Sequence, residues 1–331
     1  MNIGVIGAGA WGTAFAIHLA RTGKEVLLWV YEQELYALLK DKRENTYYLP
    51  GFVLPESIQF TTSLEEAAAH SHDIVIAIPS FALRETIQNI ASGLKTKNIL
   101  VLTKGVEKGT FLCMSKVIEE ILAGNADHIA TLSGPSFAKE VADGAFTASV
   151  IASENKDLAR YFQQMVHSDS FRIYISDDIT GVELGGALKN IMAIGSGIIE
   201  GLRLGTNTQA AFVTRALAEM KRLGKALGAK ETTFMGLSGM GDLILTSYGN
   251  LSRNRSFGLE LVKGEKAQDI IDNQKNVVEG YYTVNAVYNL SKKLKIDMPI
   301  TEELFKIIYE EKNMQISLKD LIRREFKEED D

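Results

Sequence analysis

Apolar positions in the first half of the chain fall into short runs separated by stretches of helical period. The runs are Ile3 to Ile6, Val26 to Val30, Asp73 to Ile78, Ile99 to Leu102, Ile129 to Leu132, Ser149 to Ala152 and Phe171 to Ile175. Runs this short and uniformly apolar, alternating with helices, predict an α/β fold: a mostly parallel sheet covered on both faces. Asp41 to Pro55, between the second and third runs, reads as an ordered loop containing Tyr47-Tyr48-Leu49-Pro50-Gly51. Pro79 ends the third strand and opens a helix over Phe81 to Ile90, since a proline in the first turn does no harm.

From about Ile179 the pattern becomes helical only, which predicts a sheet domain over residues 1–178 and an all-helical C-terminal domain over 179–331. The segment from Thr180 to Glu200 is apolar on nearly every face, so it predicts a buried helix. It carries Gly185, Gly186, Gly195 and Gly197, each costing about 0.8 to 1 kcal/mol against alanine, and so predicts close approach of another backbone or a ligand. Lys189 and Asn190 read as the polar residues left inside. A buried lysine has its pKa drawn toward neutrality, where it can exchange a proton with substrate; the alternative is a lysine snorkelling at a helix edge. Gln209 to Leu227 reads as an amphipathic helix with Arg215, Glu219 and Arg222 on its polar side. Asp242 closes the glycine-rich run Gly236 to Gly241, where it can orient a lysine or cap the next helix. Ser252 reads as the N-cap of a helix reaching Val262, and Arg253 with the free N–H groups of that first turn makes a phosphate clamp. Asn276 to Tyr281 reads as a loop before a helix over Thr283 to Leu294, and Pro299 to Glu311 as a packing helix. The charged tail from Lys319 to Asp331 reads as a short helix fraying into solvent.

The chemistry begins with the first strand, which runs into Gly7-Ala8-Gly9-Ala10-Trp11-Gly12, a G-x-G-x-x-G turn followed by a helix over Thr13 to Thr22. In such a turn Gly7 permits the tight bend, Gly9 lets backbone approach a pyrophosphate, and Gly12 packs the helix close to the strand. The second strand completes a βαβ unit, so the sheet is expected to be of Rossmann type and to bind a dinucleotide. Tyr31 and Glu32 stand where the adenosine ribose is read; a carboxylate accepts from a 2'-OH and repels a 2'-phosphate, favouring NAD over NADP. Ligands of these sheets bind beyond the carboxyl ends of the strands, which carry Ser80, Lys104, and Gly134 with Ser136. Lys104 is thus a cleft cation or an ordinary surface lysine, and Gly134 is expected to let a ligand approach backbone.

Composition narrows the classes. With 331 residues and 46% hydrophobic content the chain can build two cores, and a net charge of −6 excludes general attraction to nucleic acid or anionic membrane. The absence of an eighteen-residue apolar run and of a basic leader predicts a soluble, cytoplasmic protein. A single cysteine, Cys113, excludes an internal disulfide and is expected to pack inside a helix as a small apolar residue. The histidines His18, His70, His72, His128 and His167 lack metal-ligand spacing, so no metal is expected.

Taken in order, G-A-G-A-W-G-T (7–13), Tyr48-Leu49-Pro50, Thr103-Lys104-Gly105, Ser133-Gly134-Pro135-Ser136, Gly181-Val182-Glu183, G-G-A-L-K-N (185–190), Gly239 to Asp242, Ser252-Arg253-Asn254 and V-V-E-G (277–280) resemble bacterial NAD(P)-dependent glycerol-3-phosphate dehydrogenases. The resemblance implies reversible hydride transfer between nicotinamide and C2 of dihydroxyacetone phosphate or sn-glycerol 3-phosphate, supplying phospholipid synthesis, in a homodimer. It implies Lys189 as the proton donor and acceptor, with Lys104 and Asp242 beside it. Gly134 and Ser136 then contact substrate, and Ser252, Arg253 and Asn254 grip its phosphate. Gly7, Gly9, Ala10, Trp11, Gly12, Tyr31, Glu32, Lys104, Ala138, Arg253, Val277 and Glu279 fall where the family holds its cofactor. Two positions depart from many relatives: Ala10 replaces a serine, and Glu32 stands near where relatives place a basic residue. NAD is therefore expected to serve at least as well as NADP. Two other readings are a related hydroxyacid or hydroxyacyl dehydrogenase and a catalytically silent NAD-binding module. Hydroxyacyl enzymes depend on a catalytic histidine, and none follows His167; a silent module has no use for Lys104, Lys189, Asp242 and Arg253 together.

Overall fold

The computed structural model describes residues 1–124, 126–273, 277–325 and 328–329. Its strands are β1 (Asn2–Ile6), β2 (Glu25–Trp29), β3 (Ile58–Thr61), β4 (Asp73–Ile76), β5 (Asn98–Val101), β6 (Ile129–Ser133), β7 (Thr147–Ala152) and β8 (Phe171–Ser176). They form one sheet in the order β3-β2-β1-β4-β5-β6-β7-β8, parallel throughout except for the β6–β7 pair. Around it lie α1 (Ala10–Arg21), α2 (Gln33–Lys42), α3 (Leu64–Ala69), α4 (Ser80–Leu94), α5 (Met114–Ile121), α6 (Ala138–Asp143) and α7 (Lys156–Val166). This is a Rossmann-type sheet, and its strand order reverses at β1 and β4, the place where ligands of such sheets bind.

The helical half comprises α8 (Ile179–Gly201), α9 (Thr206–Ala226), α10 (Glu231–Phe234), a π-helical turn over Leu237–Gly241, α11 (Asp242–Tyr248), α12 (Arg253–Val262), α13 (Ala267–Asn273), α14 (Glu279–Leu294), α15 (Pro299–Tyr309) and α16 (Met314–Ile322). Helix α8 is its axis, packing against α9, α11, α12, α14 and α15 and against β6 of the sheet. Length and composition would let α8 cross a membrane, but its apolar window is wholly buried in protein. The glycines explain how it packs. A Cβ on Gly197 would fall 2.1 Å from the Arg255 carbonyl oxygen, and one on Gly258 2.2 Å from that of Ile194, so α8 and α12 cross backbone against backbone. Gly185 meets Ser238 in the same way.

Several sequence expectations need correction. Strand β3 and helices α2 and α3 occupy part of the stretch between the expected second and third strands; four residues are too few for β3 to show a period. Cys113 sits at the N-cap of α5 and bridges to Val106, so it lies before the helix. Glu219 belongs to the buried interior of α9, where its carboxylate accepts from the N–H groups of Ile300 and Thr301 and closes the open start of α15. Glu183 and Ser196 join Lys189 and Asn190 among the buried polar residues of α8. Helix α14 begins at Glu279, four residues early, and α16 begins before the charged tail. Asn276 and residues 326–327 and 330–331 of that tail lie outside the described residues.

Candidate active site

The glycine turn divides into positions the fold requires and one it does not. Gly7 has φ +119°, and a Cβ there would lie 2.5 Å from the Ala77 carbonyl oxygen. A Cβ on Gly12 would lie 2.0 Å from the carbonyl oxygen of Gly7. Gly9 differs. Its φ of −68° and ψ of 179° suit any residue, and no atom lies within 4 Å of where its Cβ would be. The open space stands before the first turn of α1, where Ala10, Trp11 and Gly12 offer N–H groups without helical acceptors. The indole Nε1 of Trp11 is buried and has no partner among the described residues. An open face beside free donors fits the pyrophosphate of a dinucleotide. At the end of β2, Tyr31 is exposed, and Glu32 accepts a 2.6 Å hydrogen bond from the Tyr48 hydroxyl. Burial, together with that carboxylate, pushes the Tyr48 phenol up to about 12.

Three charged residues from distant parts of the chain meet beyond the sheet. Lys104 follows β5, Lys189 lies mid-way along α8, and Asp242 is the first residue of α11. Asp242 is 1% exposed, and its Oδ2 lies 2.6 Å from Lys104 Nζ while its Oδ1 lies 3.0 Å from Lys189 Nζ. The carboxylate is thus a bridge between lysines; it makes no side-chain cap to α11, which closes the capping alternative. Lys189 is 8% exposed and also donates to Thr246 Oγ1 at 2.8 Å, so it does not snorkel. Burial pushes its pKa down to about 8, against the pull of Asp242. For Asp242 burial acts upward, but the two ammonium groups outweigh it and hold the carboxyl below its ordinary value. Thr246, absent from the sequence reading, in turn donates to Asp242 Oδ1 at 3.2 Å. One signal pointed to it: four residues after Asp242, it shares that residue's helix face.

Lys104 also donates to the Gly134 carbonyl at 3.2 Å, and Ser136 Oγ to the same oxygen at 2.9 Å. The missing Cβ of Gly134 is accounted for by the fold itself: φ is +145°, and the Cα of Ser149 would stand 2.9 Å from the added atom. Gly186, one turn before Lys189, admits Ser133 and the Lys104 side chain against α8. Two ammonium groups on one carboxylate leave a net positive charge at a largely buried site, able to stabilise an oxyanion and to give up a proton.

At the start of α12 the sequence motif splits by role. Ser252 is buried, and its Oγ accepts from Arg255 N at 3.2 Å as a helix cap. Asn254 is buried too, donating to Asn190 Oδ1 at 2.8 Å and accepting from Gly280 N at 2.9 Å, so it ties α8, α12 and α14 together. Arg253 keeps its side chain open to solvent while protein surrounds it, as on a cleft wall; that crowding lowers its pKa, and Glu279 opposes the shift. Neighbouring Arg255 instead pairs with Glu200 at 2.5 Å. Val277 precedes α14, and Ala138 opens α6 beside the α1 core.

Residues 2–159 match the family model for the N-terminus of NAD-dependent glycerol-3-phosphate dehydrogenase, and residues 178–319 match the model for its C-terminus. The chain belongs to this family. The glycerol-3-phosphate dehydrogenase (NAD(P)+) of Syntrophotalea carbinolica is 46% identical over 333 residues, covering 100% of both chains. That of Enterococcus faecalis is 44% identical, covering 100% of this chain and 98% of its own. The solved glycerol-3-phosphate dehydrogenase of Coxiella burnetii has a TM-score of 0.93 at 38% identity, covering 98% of this chain and 99% of that one.

In this family member the two halves are joined by side chains of the helical half that complete helices of the sheet half. Helix α4 starts after Pro79 and α5 after Cys113, and neither residue caps its helix. Glutamates of the helical half serve instead. Glu279 accepts from Ser80 N at 3.0 Å and Ser80 Oγ at 2.6 Å, and Glu183 accepts from Ser115 N at 2.9 Å and from Ser115 Oγ. Phe81 adds a ring contact with Tyr282 at 5.2 Å. Burial raises both carboxyls, Glu183 to about 7, against these hydrogen bonds. A folded-state pKa above the unfolded one means that the stabilisation is complete below the ordinary carboxylate pKa and is lost as pH rises through about 7. Glu183→Gln, which keeps the acceptor without the charge, should therefore gain on the parent as pH rises, by on the order of 3 kcal/mol at most. Melting temperatures of both proteins at about pH 5.5 and about pH 8.5 check this; a difference independent of pH would refute it.

Proposed function

We propose that this protein interconverts dihydroxyacetone phosphate and sn-glycerol 3-phosphate with NAD or NADP. The observation that carries this reading is the buried Lys189 ammonium, held with Lys104 on the single carboxylate of Asp242. Bound nicotinamide supplies or takes the hydride at C2. The chain's part is the proton and the charge. As a carbonyl is reduced its oxygen gains negative charge, and Lys189 stabilises that oxygen and protonates it; in the reverse direction the free amine takes the hydroxyl proton. Lys104 adds a second positive charge, and Asp242 with Thr246 keeps Lys189 from turning away. Arg253 and the N–H groups opening α12 take the substrate phosphate, with Ser252 and Asn254 shaping that turn and Gly134 and Ser136 bordering the substrate.

For the cofactor, Gly7, Gly9, Ala10, Trp11 and Gly12 take the pyrophosphate, and Tyr31 and Glu32 the adenosine. Ala138, Val277, Glu279 and Lys104 border the nicotinamide end. Glu32 favours NAD at least as much as NADP, because a 2'-phosphate there would face a carboxylate. The family further suggests a cytoplasmic homodimer feeding glycerophospholipid synthesis.

Parallel assays of NADH and NADPH oxidation on dihydroxyacetone phosphate test reaction and coenzyme together. No turnover with either would refute the reaction, and a kcat/KM at least about tenfold higher with NADPH would refute the coenzyme preference. The pKa of Lys189 sets a further test. Reduction needs the ammonium form and should decline as pH rises through about 8, whereas oxidation needs the amine and should climb over the same interval. Profiles that fail to diverge across that interval would remove Lys189 as the proton carrier.

A further inference from the structure

One buried side chain at the glycine turn has no role in the assignments above. Asn45, in the loop after α2, has no exposed surface, and its amide reaches the turn 37 residues back in the chain. Its Nδ2 donates to the Ala8 carbonyl and to Thr13 Oγ1, each at 2.8 Å, and Thr13 Oγ1 donates to that carbonyl at 3.2 Å. Its Oδ1 accepts from Tyr48 N at 3.0 Å, which fixes which end of the amide faces the turn.

The consequence follows from peptide geometry. The described chain has no cis bond, so the carbonyl of Ala8 and the N–H of Gly9, which share one peptide plane, point in opposite directions. Two donors pin the carbonyl inward. The Gly9 N–H must then point away from the interior; it has no hydrogen-bond partner among the described residues. It thereby joins the free N–H groups of the first turn of α1.

We propose that Asn45 is a positioning residue for the dinucleotide: by holding the Ala8 carbonyl inward it aims the Gly9 N–H at the pyrophosphate. This rests on the reading that the glycine turn is the pyrophosphate site. Asn45→Asp is the informative change. It preserves size and the acceptor for Tyr48 N but sets a carboxylate oxygen against the Ala8 carbonyl, so the peptide is pushed to rotate.

Calorimetric titration with ADP, which carries a pyrophosphate, and with adenosine, which does not, separates positioning from general damage. Asn45→Asp should raise the Kd for ADP by about 10- to 100-fold and Asn45→Ala by about 3- to 10-fold, with the adenosine Kd unchanged. At saturating NADH, kcat should stay within about threefold of the parent. Equal losses for ADP and adenosine would overturn the proposal, and so would unchanged ADP binding in both variants. Gly9→Val in the same series distinguishes the failures. If it weakens ADP while the Asn45 variants do not, only the role of Asn45 falls; if it also binds ADP normally, the pyrophosphate reading falls with it. Should Asn45→Asp fail to fold, Asn45→Ala carries the same comparison.

Discussion

Lys189→Met should lower kcat in both directions by about two to four orders of magnitude, the scale of lost general acid catalysis, with NADH affinity within about twofold of the parent. Methionine suits the position because a flexible chain of similar length leaves little cavity in the buried helix. Asp242 would keep Lys104 as its partner at 2.6 Å, so the variant strands no unpaired charge. The change therefore removes the proposed proton carrier without dismantling the site. Stopped-flow measurement of the chemical step, with a separate NADH titration, decides it. Turnover within about tenfold of the parent would mean another group moves the proton.

Gly9→Val should raise the Kd for NADH by about 100-fold or more while the melting temperature moves by only a few degrees. The contrast with its neighbour makes this specific. At Gly12 an added carbon would strike the Gly7 carbonyl oxygen at 2.0 Å, so substitution damages the fold first. At Gly9 the backbone is extended and the space is empty, so the fold has no objection to a side chain. Only a ligand does. Unaltered NADH binding in a well-folded Gly9→Val protein would move the pyrophosphate elsewhere.

Much of this was legible along the chain because it rests on local rules. The glycine turn, the apolar axis of α8 and the alternation of strands and helices each leave a periodic or compositional trace within a dozen residues. Lys104, Lys189 and Asp242 were separately conspicuous, as a cation at a strand end, a lysine in an apolar helix and an acid closing a glycine run. What stayed hidden depends on contact between remote segments. Asn45 looks like any loop asparagine until Ala8 is placed beside it. Ser80 and Ser115 look like ordinary first-turn serines, since their partners lie 199 and 68 residues away. Glu183 was readable only as part of a motif, because one carboxylate in an apolar helix does not announce which helix it completes. Strand β3 was too brief to show alternation, and its neighbour in the sheet, β2, supplies what its own four residues cannot.

The crossed capping glutamates bear on how such an enzyme could be rebuilt. A chimera that grafts a foreign nucleotide-binding module onto this helical half would leave Glu183, Glu279 and Asp242 facing a surface that no longer supplies Ser115, Ser80 and Lys104. Glu183 and Glu279 would then lose their donors, and Asp242, still paired with Lys189 at 3.0 Å, would lose its second ammonium, so the hybrid should separate or misassemble even if each module folds well. Recombination across this boundary should succeed only when Glu183, Glu279 and Asp242 travel with Ser115, Ser80 and Lys104, the residues they pair with.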